Sequence, residues 1–136
     1  QVIMKGSLPA SDVISFYGKY LDKVIYMPVV NLDKDNASEM MTDYMNDLKP
    51  AAYELVYADG KTDSLPLQMR TALKGQALIW YNTLWDTLCG GHDDDLALED
   101  PDAAFGYLID TLGARIIQTD RSEYLLNYLR ARNLHE

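Results

Sequence analysis

The stretch SLPLQMRTALKGQALIWYNTLWDTLCGG, residues 64–91, decides how the chain is read. Met69, Leu73, Ala77, Trp80, Tyr81, Leu84 and Leu88 recur there at helical spacing. Ile79 and Trp85 widen the stripe. Ser64 reads as an N-cap with Pro66 near the first helical position, and Gly90-Gly91 as the stop. The spacing predicts one helix over about 65–88. At ~1.5 Å per residue such a helix is on the order of 35 Å long, enough to cross a domain.

Working outward, shorter elements follow the same logic. Ser11 caps a helix whose face is Val13, Phe16, Tyr17, Tyr20, Leu21 and Val24. Asn36 and Glu39 have capping-box spacing before Met40, Met41, Tyr44, Met45 and Leu48, which predicts a helix over about 37–48. Downstream, His92 to Glu99 reads as an acidic loop. Asp100-Pro101-Asp102 opens a helix that ends at Gly113. Asp120 and Glu123 start a last helix of about 121–132.

Three apolar pieces, 2–5, 24–30 and 53–58, read as extended segments. Pro28 makes the second a candidate edge strand. Asp59-Gly60 is a hairpin signal. The expected fold is mainly α: about five helices in a single domain, 1–136, with room for a two- or three-stranded sheet in the N-terminal half. An all-α bundle is the alternative.

The 136 residues include 12 Lys+Arg and 21 Asp+Glu, a formal net charge of −9. That charge repels phosphate backbones and points away from nucleic acid. No apolar run is long enough to span a bilayer. The charge is local, because no Lys or Arg stands between Lys74 and Arg115, while Asp86, Asp93, Asp94, Asp95, Glu99, Asp100, Asp102 and Asp110 do. Cys89 is the single cysteine, so an intrachain disulfide is impossible and a reducing compartment such as the cytoplasm is favoured. The first residue is Gln1 rather than Met, which leaves a cleaved leader open.

No catalytic constellation stands out. Cys89-Gly-Gly-His92 is half a zinc motif without a second pair. The acidic run lacks the glycine and closing Glu of a calcium loop. Arg130-Ala-Arg-Asn-Leu-His135 resembles the Arg/His motif of HEPN-type ribonucleases. Ala131 replaces that family's usual polar residue, and the acidic surface suits RNA poorly, so the resemblance is set aside. Most of the ten tyrosines are expected in the core with hydroxyls at its edge.

The sequence therefore points to a small acidic interaction module without a cofactor, more in keeping with a binding protein than an enzyme. Its sharpest form is an inhibitor, immunity protein, antitoxin or DNA mimic that holds a basic partner protein. The expected contact residues are Asp86, Asp93, Asp94, Asp95, Glu99, Asp102 and Tyr107. An assembly subunit or chaperone, including a homo-oligomer, is the first alternative. A small metal-dependent hydrolase using His92 to Asp95 is the second.

Overall fold

The computed structural model describes residues 2–58 and 63–136. The Asp59-Gly60 hairpin signal lies outside them. Among these residues, short helical turns aside, five strands alternate with six helices: β1 (Val2–Gly6), α1 (Ala10–Tyr17), β2 (Val24–Asn31), α2 (Ala37–Asp43), β3 (Ala52–Val56), α3 (Ser64–Leu73), β4 (Leu78–Asn82), α4 (Asp94–Glu99), α5 (Asp102–Thr111), β5 (Ala114–Gln118) and α6 (Ser122–Ala131). All strand pairs are parallel, in the order β1-β2-β3-β4-β5. This is an α/β fold, not the expected mainly α one.

The error lies in residues 64–91. Gly75 has φ 76 and follows the end of α3, breaking the expected long helix. Leu78-Ile-Trp-Tyr-Asn82 is then a strand flanked by β3 and β5. An interior parallel strand needs no polar alternation, so its apolar run also fits a helical stripe. The stripe 69-73-77-80-81-84-88 joins a helix face to a strand by coincidence of spacing.

Other expectations shift less. The three extended segments are strands, but β2 lies between β1 and β3 rather than at an edge. Pro28 is tolerated because it closes the β1 pairing, opposite Gly6, before β2 turns to β3 at Val29. Residues 94–99 are helical rather than loop. Asp93 caps them, its carboxylate accepting from Leu96 N at 2.9 Å. The edge strand β5 was not anticipated. The helix of 37–48 is present, with its last turn, Tyr44–Leu48, wound through i→i+5 bonds such as Lys49 N to Tyr44 O. The whole of α5 is wound the same way, with Gly106 N donating to Pro101 O and Leu112 N to Tyr107 O.

Alternate strand residues serve different faces. Tyr26, Val30, Tyr53, Leu55, Ile79 and Tyr81 pack against Val13, Met41, Tyr44, Leu73, Leu108 and Leu112 of the helices. The opposite face carries Lys5, Val29, Asn31, Glu54, Val56, Trp80, Asn82 and Gln118, brought together by the register. Lys5 Nζ on β1 donates to Gln118 Oε1 on β5 at 3.3 Å. On a flat sheet those strands would stand about 19 Å apart, so the sheet is strongly curled. The helix-free face is the concave one.

Candidate functional site

The floor of the hollow is an ion pair. Glu54, in the middle strand, is only 3% exposed, and its carboxylate contacts the Lys5 ammonium directly. Lys5 also lies over the Trp80 ring, 4.8 Å from its centroid. The Trp80 indole N–H is buried without a hydrogen-bond partner among the described residues. Burying the Glu54 carboxylate costs desolvation that an apolar side chain would avoid, and Lys5, 36% exposed, offsets it only in part. A charged pair under an open cavity points to a ligand site more readily than to a core.

The cavity opens at the carboxyl ends of β2, β3 and β4. It holds about 590 Å³ and is lined by Val29, Asn31, Lys34, Met40, Glu54, Val56, Asn82 and Leu88 among others. Two turns orient its amides. Asn31 Oδ1 accepts from Asp33 N at 2.9 Å, and Asn82 Oδ1 from Leu84 N at 3.1 Å. Each carboxamide is held by its oxygen, which leaves the NH₂ end as the free donor. Val29, Met40, Val56 and Leu88 supply the apolar part of the lining, and its charged members, Lys34 and Glu54, are of opposite sign.

The residues expected from sequence lie elsewhere and are mostly engaged within the chain. Asp93 caps α4. Asp94 is buried and accepts from Thr83 Oγ1 (2.6 Å), Thr119 Oγ1 (2.7 Å) and Asp120 N (2.8 Å), clasping β4, β5 and α4 together. Asp102 accepts from Tyr128 Oη at 2.6 Å. Tyr107 donates to the Asp63 carboxylate, which pushes its phenol up to about 12. Its ring stacks on His92, 4.2 Å between centroids, and His92 Nδ1 bonds Ala103 O at 2.8 Å. Asp86 bonds its neighbour Thr87 N. Asp95 and Glu99 are exposed. Burial pushes the Cys89 thiol up to about 12, which makes it a poor thiolate.

Among the described residues no three His, Cys, Asp or Glu side chains gather as a metal site. No described helix is long and apolar enough to cross a membrane. The chain belongs to the DUF4996 family, a domain of unknown function, matched over residues 26–129. No curated protein matches the chain. The DUF4996 match includes Asn31, Glu54, Trp80, Asn82 and Gln118 and begins after Lys5.

Sequence reasoning missed this site because its members are scattered singly over five strands. Glu54 gave the one local signal: a lone carboxylate inside the apolar run Tyr53-Glu-Leu-Val-Tyr57. Such a residue on a buried strand is rarely left without a partner.

Proposed function

We propose that this domain binds a small, neutral, hydrogen-bonding molecule in the hollow of its sheet, against Lys5 and Glu54. The buried Glu54 carboxylate, paired with the exposed Lys5 ammonium at an open cavity, carries the reading. Asn31 and Asn82 supply donors at the rim, and Val29, Val56 and Leu88 supply apolar contact, the usual mix of a small-molecule site. Lys5 and Glu54 also bring an acid and a base together, which suits proton exchange with a bound ligand. A fragment screen read by backbone amide shifts tests it. Hits that perturb Asn31, Glu54 and Asn82, and that vanish in Glu54→Leu, are expected. A library that leaves the hollow untouched overturns the reading.

A second reading, a module holding a basic partner protein, is favoured by Trp85, an indole 62% exposed beside Asp86. Asp95 and Glu99 are exposed as well and would steer such a partner. Association that is unaffected by salt, or by Trp85→Ala, would count against it. The free, buried Cys89 is in keeping with a reducing compartment such as the cytoplasm.

A further inference from the structure

A separate cleft lies at the amino ends of β3, β4 and β5, away from the hollow's open end. It holds about 480 Å³, and its lining includes Arg70, Lys74, Gly75, Gly113 and Arg115. Three cations meet there, and no carboxylate among the described residues lines the cleft. In a chain of net charge −9 with 21 acids, that is an unusual concentration. Ion pairs among the described residues join Lys5 to Glu54 and Arg132 to Asp110, and none involves these three.

The two arginines are positioned by backbone rather than by acids. Arg70 Nη1 donates to Thr111 O at 2.6 Å, and its stem packs over Gly113, where an added Cβ would stand 3.0 Å from Cγ. Arg115 Nη1 donates to Ala114 O at 2.9 Å. Each guanidinium is held in place with its charge uncompensated and most of its donors free. Arg115 is also the extra residue where the β4–β5 register jumps, since Ile79 pairs with Ala114 but Trp80 with Ile116. Such a bulge re-aims a side chain, and here it frees Arg115 from the strand alternation.

We propose that Arg70, Lys74 and Arg115 form a binding site for a small multivalent oxyanion, a phosphate monoester or a polycarboxylate. Guanidinium forks match the paired oxygens of both groups. The cleft admits a small anion, whereas a polyanion would meet the acidic remainder of the surface.

Calorimetry of the full chain with inorganic phosphate and with citrate, against chloride at equal ionic strength, tests it. Saturable binding is expected, weakened about tenfold or more, some 1.4 kcal/mol, by Lys74→Gln with Arg115→Gln. Phosphate alone binding assigns the phosphoester class, and citrate alone the polycarboxylate class. Binding no stronger than chloride, or unchanged in the double variant, overturns the site. Should the variant fold poorly, amide shifts of the unaltered chain decide. Movement at Gly75 and Gly113 on adding phosphate supports the site, and movement only elsewhere overturns it.

Discussion

Lys5 and Gln118 belong to the two outermost strands of the sheet, yet Nζ of one lies 3.3 Å from Oε1 of the other. The curl that joins them also brings Lys5 onto Glu54 and the Trp80 ring. Lys5 is therefore tied to β3, β4 and β5, none of which neighbours its own strand.

Lys5→Met leaves Glu54 buried without its cation. A loss of about 1–3 kcal/mol is expected, below the roughly 3–5 typical of a fully buried pair because the lysine is partly exposed. Adding Glu54→Leu should recover most of it. Urea unfolding of the two variants measures the difference, and an equally unstable double variant would contradict this account.

Asp94 and Asp95 adjoin in sequence and differ in role. Asp94→Ala removes the acceptor shared by the buried Thr83 hydroxyl, the half-buried Thr119 hydroxyl and Asp120 N, and should cost about 2–4 kcal/mol. Asp95→Ala, at an exposed site, should stay within about 0.5 kcal/mol of the parent. Thermal melts of the pair provide the comparison.

Two adjacent glycines make a similar contrast. Gly91 has φ 83 with open space around it, so Gly91→Ala should cost only the left-handed penalty of about 1–2 kcal/mol. Gly90 has φ 63, and a Cβ there would run into the Tyr57 ring. Gly90→Ala adds about 1–3 kcal/mol of overpacking to the same penalty. Equal melting temperatures for the two variants would refute the contact.

Alkaline pH should unfold the protein through its tyrosines. Burial pushes the Tyr53 and Tyr128 phenols up to about 12, as does the Asp63 hydrogen bond for Tyr107. The ordinary value is 10.0, so between 10 and 12 the unfolded chain loses protons that the folded one keeps. Stability from this source is full below pH 10 and falls as pH rises toward 12. Phenolate absorbance should then appear together with loss of structure. Smooth ionisation of all ten tyrosines near pH 10 in a folded protein would exclude this.

What was legible in the sequence follows from range. Local signals located α2 and α6, Gly113 as a stop, and β1, β2 and β3 as extended segments. They failed where meaning depends on neighbours. Leu78–Asn82 packs Ile79 and Tyr81 against the helices and carries Trp80 on the other face, and nothing within five residues distinguishes that apolar run from a helix turn. Ala114–Gln118 is too short and too mixed to declare itself. The acidic count was correct, but Asp93 and Asp94 are spent inside the chain, which composition cannot reveal. The hollow needed the register itself, because Lys5 and Glu54 are brought together only by strand pairing.

The alternation within β3 has an evolutionary consequence. Tyr53 and Leu55 hold the helices, while Glu54 and Val56 line the hollow. Residues that are neighbours along the chain thus answer to separate demands. Selection can retune what the hollow accepts by changing every second residue, and the packing that keeps the domain folded need not be renegotiated.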